Sequence, residues 1–214
     1  MAQERVNDKK GQAAAKREEF QRQKRRKALV RRTILGVVLL SAAGGAGYCV
    51  AKQRQFQAGV LTEEYPAAQH MQGRITHRET PPMGGPHHAA WQNCAIYSVP
   101  VHNEHAVHSM EHGAVWITYR PDLPAADVQR LHALAADDYM LLSPYPGLPA
   151  PVVASSWNRQ MHMTGADDPR LPQFIRRFKN NPSTTPEFGA SCLGGVSSPA
   201  TVDTLTAGGG PMMR

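Results

Sequence analysis

Cysteine is scarce: the 214-residue chain has three, and no two of them form a C-x-x-C pair. That absence argues against a thiol–disulfide oxidoreductase, whose attacking thiolate relies on this spacing. Aromatic residues are also few, at 7%, and no basic stripe with interleaved aromatics runs through the main part of the chain. Nucleic-acid binding needs such a surface, so nucleic acid is excluded as a partner. No internal repeat is present and no catalytic triad is visible. Ser109 adjoins His108, but neighbours in sequence do not face each other on a helix. Long apolar runs are missing too, with one exception near the start.

Charge is present but unevenly spread. The net charge is +7, yet 12 of the 24 Lys and Arg fall in residues 1–32, against four acids. Residues 52–214 carry 12 bases and 13 acids and are close to neutral. The basic character belongs to the tail, residues 1–32, which reads as a solvated arm with a helical stretch near Ala13–Lys27 and too few apolar residues to pack a core.

The exception is TILGVVLLSAAGGAGYCVA, Thr33–Ala51, which has no charged residue. At about 1.5 Å per residue it spans roughly 28 Å, close to a hydrocarbon core of about 30 Å. The basic region before it is too long for the n-region of a signal peptide. Tyr48 is too bulky for the position before a lipoprotein Cys49. Residues 33–51 therefore read as a transmembrane helix, with the lipid bilayer as partner. Six bases lie in residues 24–32, while only Lys52 and Arg54 follow the span closely. The positive-inside rule then predicts a cell-membrane, single-pass protein with a cytoplasmic N-terminus and an extracytoplasmic C-terminal domain. The Lys24–Lys27 cluster with Arg31 and Arg32 becomes a contact for anionic headgroups.

With Cys49 in the membrane, Cys94 and Cys192 are left in an oxidising compartment, where they are expected to form one disulfide. Closing a loop of about 99 residues contributes up to about 4–5 kcal/mol in the chain-entropy picture.

Residues 52–69 read as a stalk that continues the membrane helix for a turn or two past Lys52. Residues 70–192 read as the folded, His-rich domain, and residues 193–214, rich in Gly, Ser, Thr and Pro, as a disordered tail. Pro81-Pro82 and Gly84-Gly85-Pro86 mark a shaped loop. Ala95–Val101 reads as a short strand, and His102–His112 as helical turns ended by Gly113. Ala114–Tyr119 is the clearest strand. Pro124–Asp138 is an amphipathic helix with Val128, Leu131, Leu134 and Ala135 on one face. Tyr139–Ser143 and Val152–Trp157 read as a strand pair joined by PYPGLPAP. Asp168–Lys179 is a last helix with Leu171, Phe174, Ile175 and Phe178 at core spacing. The order β-α-β-α-β-β-α predicts an α/β-type sandwich, compatible with a thioredoxin-like topology without C-x-x-C.

Eight of the ten histidines lie between His70 and His112. His105, His108 and His112 fall within about 60° of arc on a helix. His108 and His112 have the i, i+4 spacing that lets two imidazoles share one metal ion. A third ligand from the Pro/Gly loop, His87 or His88, completes the expected set of His87, His108 and His112, holding a zinc or copper ion. Other readings stand beside it. The histidines can equally cap helices and bond to carbonyls, which makes the domain a structural or interaction module of the cell envelope. His108-Ser-Met-Glu-His112 spells H-x-x-E-H, which with Glu187 as third ligand and Glu111 as base would be a metal-dependent hydrolase. Met161-His162-Met163, Met83 and Met212-Met213 offer soft ligands suited to copper(I).

PPMGGPHH, Cys94 with Ile96-Tyr97, EHAVHSMEHGAVWITYRP, LLSPYPGLPAPVVASSW and the Phe174-Ile175 helix with Pro186-Glu187 resemble a known family. It is the prokaryotic membrane-anchored family called domain of unknown function 3105, and the resemblance covers about residues 65–192. It implies one anchor helix and an extracytoplasmic domain, and it favours His87, His108, Glu111, His112 and Tyr119 over His70, His77, His102 and His132. It implies no activity. The leading expectation is a non-enzymatic domain outside the cytoplasm that binds a transition metal through His87, His108 and His112, with its protein partner unidentified.

Overall fold

A computed structural model describes residues 2–206, with the side chains of residues 2–15, 17 and 28 left aside. The chain divides into two compact units, residues 1–55 and a unit beginning at Phe56.

The first helix, α1, runs Ala2–Ala58 without a break at Arg32. Its apolar stretch packs on nothing within its own unit: Ile34, Val37, Leu39 and Leu40 are all more than half exposed. The hydroxyls of Thr33 and Ser41 bond back to the carbonyls of Leu29 and Val37, so the apolar surface carries little unpaired polarity. Within Glu18–Ala58 this helix is long and apolar enough to cross a membrane.

The second unit is built on a mixed five-stranded sheet. Strand β1 is Leu61–Thr62, β2 Val115–Tyr119, β3 Met140–Pro144, β4 Val152–Ser156 and β5 Arg159–Met163. Their order is β1-β5-β4-β2-β3, with β2 and β3 parallel and every other pair antiparallel. Parallel neighbours need a crossover, supplied here by α3, Ala125–Leu134. The remaining helices are α2, Asn103–Glu111, and α4, Arg170–Phe178.

Strand alternation assigns the two faces of the sheet. Val115, Ile117 and Tyr119 of β2 point toward one core with Leu131 of α3 and Leu171, Phe174 and Phe178 of α4. Trp116 and Leu141 point the other way, against Ala106, Val107 and Met110 of α2. The result is a layer of two helices, a sheet, and a layer of α2 with its loops. Burying the α2 face fixes the helix to the sheet and turns its histidines toward those loops.

Two expectations about the strands change. Ala95–Val101 is not a strand: only Ile96 bridges, to Leu142. The disulfide at Cys94 and the proline at 100 limit the pairing, so the segment covers the open edge of β3 for one residue. The hairpin is not Tyr139–Ser143 with Val152–Trp157, because β2 lies between β3 and β4. The antiparallel pair is β4–β5, turned through Trp157 and Asn158, with Asn158 at φ +62°. MHM lies in β5, and Trp157 in the turn reaches the core at 3% exposure.

The ends also differ. The helix runs past Lys52 to Ala58, and beyond it the residues expected as stalk pack on the domain: β1 pairs with β5 and Tyr65 packs over Gly84 and Gly85. Residues 193–206 lie along the domain instead of free of it. Val196 pairs with Gln92, Ala200 N donates to the Pro100 carbonyl, and Leu205 is 2% exposed. A polar strap held mainly by backbone hydrogen bonds leaves no apolar pattern in the sequence, and composition alone reads it as loose. Residues 207–214, with Met212 and Met213, lie outside the described residues.

Candidate metal centre

Helix α2 is short and almost wholly buried, and it ends at Gly113. Gly113 adopts φ +108° and donates its N–H to the Met110 carbonyl, the glycine C′ ending expected from the sequence. Its apolar residues face the sheet, which leaves His105, His108, Glu111 and His112 toward the loops.

The shaped loop supplies the next ligand. The His87 N–H donates to the Gln69 carbonyl and Met71 N–H donates to the His87 carbonyl. That pairing lays His70 beside His87. The Gly85 carbonyl, at a glycine with φ +91°, accepts from His87 Nδ1 at 2.8 Å. His108 Nδ1 is held by the His88 carbonyl at 2.8 Å and His112 Nδ1 by the Ser191 carbonyl at 2.7 Å. A carbonyl can only accept, so each Nδ1 carries the proton and each Nε2 is free to offer a lone pair.

The lone pairs converge. The rings of His70, His87 and His108 are mutually equidistant, with centroids 4.9 Å apart in all three pairs. Three imidazoles bound through Nε2 to one tetrahedral ion at about 2.0–2.1 Å have centroids about 5 Å apart. Glu111 closes the group. Its Oε1 accepts from the Ala68 N–H at 2.6 Å, while Oε2 lies 2.7 Å from His87 Nε2 and 4.0 Å from His70 Nε2. The donor atoms of His70, His87, His108 and Glu111 all fall within 4.8 Å of one another.

His87 Nε2 and Glu111 Oε2 are both buried, and neither has a hydrogen-bond partner of acceptable geometry. Two buried acceptors facing each other are costly unless a cation or a shared proton lies between them. Two donors on one tetrahedral ion stand about 3.3 Å apart, so the pair would open by about 0.6 Å, within the reach of small torsions. Burial pushes His108 down to about 3, reinforced by its neighbour His112, and keeps it the neutral ligand a metal requires. Burial acts to raise Glu111, but the adjacent His87 and the hydrogen bond from the Ala68 N–H outweigh it and hold the carboxyl below its usual range.

A second group adjoins the first. His108, His112 and Glu187 also bring donor atoms within 4.8 Å of one another. The expected set of His87, His108 and His112 is thus divided: His108 joins His87 in one group and His112 in the other. His70 was passed over and belongs to the first group. Its signal lay in the ten histidines as a whole, but only the pairing of residues 69–71 with His87 brings it in.

Three other histidines have structural partners. His105 bonds to the Ala90 carbonyl and Thr204 Oγ1, His102 to the Val202 carbonyl, and His88 Nδ1 accepts the Ala90 N–H. Tyr119 faces the α3/α4 core on the other side of the sheet. Met161 and Met163 are buried in that same core, whereas His162 alternates away and bonds to Gln160. The MHM run therefore places its two methionines on one face of the sheet and His162 on the other. The Cys94 and Cys192 sulfurs are at bonding distance, with Cα atoms 5.4 Å apart.

A family model described as "Protein of unknown function (DUF3105)" matches residues 68–194. The chain belongs to this family. No curated protein matches it, and no solved structure does either. Both donor groups of this DUF3105 member lie wholly inside the matched stretch.

Proposed function

We propose that this DUF3105 member is a single-pass membrane protein whose domain outside the cytoplasm binds one divalent transition ion at His70, His87, His108 and Glu111. The observation that carries the reading is the convergence of three mutually equidistant imidazoles on a buried carboxylate with two orphaned acceptors. The donors are imidazole nitrogen and carboxylate oxygen, which suit zinc or copper(II) better than copper(I). Glu111 acts as a ligand here. With one oxygen on Ala68 N–H and the other facing His87, it is poorly disposed as a hydrolytic base, and the reading is of a binding domain without catalysis.

The charge-free helix and the bases before it support anchorage with the N-terminus in the cytoplasm and contact with anionic headgroups. The β2-α3-β3 unit followed by the β4–β5 hairpin and α4 is the element order of a thioredoxin-like core, which supports that reading of the domain.

Metal content by mass spectrometry on the untagged full-length chain in detergent tests the reading. About one zinc or copper per chain is expected, with affinity falling roughly 100-fold or more in His87→Ala and in Glu111→Gln, each of which removes a ligand. Folded protein that holds no metal and takes up neither ion would overturn the reading and leave a proton shared between His87 and Glu111.

A further inference from the structure

The second donor group begins where the first ends. His112 Nε2 lies 3.1 Å from Glu187 Oε2, and His108 Nε2 lies 4.0 Å from the same oxygen. The closer separation is already near the roughly 3.3 Å of two donors on one tetrahedral ion. His108 belongs to both groups but cannot serve both at once. Its Nδ1 is committed to the His88 carbonyl, leaving one lone pair, at Nε2. The site therefore has two overlapping positions and the ligands to fill one of them fully at a time.

The two positions differ in donor number, and each has one exposed donor. His87 and Glu111 of the inner group have fully buried side chains while its His70 is 40% exposed, and in the outer group the Glu187 side chain is 41% exposed. Four donors are available inside and three outside, so an ion at the outer position keeps a place for water or for a ligand from whatever delivers it. The outer group is also tied to the inner one. Glu187 N–H donates to the Glu111 carbonyl at 3.1 Å, and the Ser191 carbonyl that orients His112 lies four residues further along the same strap.

We infer that His112 and Glu187 form a transfer station through which a divalent ion reaches and leaves the inner group, crossing on His108. This rests on the metal reading of the inner group. The ion exchanges His112 and Glu187 for His87, His70 and Glu111 while its bond to His108 Nε2 persists. It is never stripped of protein ligands, and no electron or covalent bond changes hands. The outer carboxylate serves as the doorway because it alone in its group faces solvent.

The test uses zinc and the full-length chain in detergent, with uptake and release followed by stopped flow against excess chelator. Wild type is compared with Glu187→Gln and His112→Gln, conservative changes that leave the strap's backbone bonds in place. A station on the path acts in both directions. Uptake and release are both expected to slow by about tenfold or more, with equilibrium affinity moving less than about threefold. Unchanged rates would overturn the inference and point to access past His70, the exposed inner donor. A loss of affinity carried by faster release alone would overturn it as well, making Glu187 a permanent ligand. Two zinc ions per wild-type chain would contradict the sharing of His108. A wild-type chain that takes up no zinc would fail earlier, at the inner group itself, so the two failures are distinct.

Discussion

Four histidines stand within eleven residues of chain, His102, His105, His108 and His112, and they divide by what each ring nitrogen meets. His105 has both nitrogens occupied, by the Ala90 carbonyl and Thr204 Oγ1, and is fully buried. Burial pushes it down to about 4. Because the unfolded chain takes up this proton first as pH falls, stability is full above about 6.5 and is lost as pH drops toward 4, by about 3 kcal/mol for one such group. Urea unfolding of the metal-free protein between pH 7 and pH 5 checks this. His105→Gln is expected to reduce the pH slope by about one proton, and an unchanged slope would mean that His105 does not resist protonation in the fold. The sequence showed the cluster and the i, i+4 pair but could not sort it. The sorting is done by carbonyls at positions 88, 90, 191 and 202 and by Thr204, all brought in from distant loops.

At the scale of elements, amphipathic periodicity was the legible part. Leu131 in α3 and Leu171, Phe174 and Phe178 in α4 are buried as their spacing predicts. Pairing was not legible: Val152–Trp157 looked like the partner of Tyr139–Ser143 by proximity in sequence, while β2 fills the gap between them. The ending of α2 was readable, because Gly113 needs a conformation that other residues resist. Gly113 has φ +108°, and a Cβ there would meet the Asn180 Cα at 3.0 Å. Gly113→Ala is expected to cost about 2–3 kcal/mol, from backbone strain and a contact with main chain that cannot move aside. Gly147→Ala, at φ +76° with nothing within 4 Å, should cost only about 1 kcal/mol. Equal losses in chemical denaturation would mean that close packing around Gly113 contributes nothing.

At the scale of the molecule, irregular segments at both ends of the domain are parts of the site's support. Residues 65–70 bring Tyr65 onto Gly84 and Gly85, Ala68 onto Glu111, and His70 onto His87. The Cys94–Cys192 link joins the strap that carries Glu187 and Ser191 to the loop after Trp91. Its long closed segment makes it worth about 4–5 kcal/mol in the chain-entropy picture. Residues 65–69 have no hydrophobic pattern, so the sequence marked them as stalk, while Glu187 and Ser191 fell inside the expected domain, residues 70–192. The central claim concerns the ion that these supports converge upon. X-ray absorption at the zinc edge of the loaded full-length chain reads its ligands directly. A first shell of about four nitrogen and oxygen donors near 2.0–2.1 Å, with the multiple-scattering pattern of about three imidazoles that falls in His87→Ala, is the expected result. A shell of water oxygens without imidazole scattering, unaltered by His87→Ala, would contradict it.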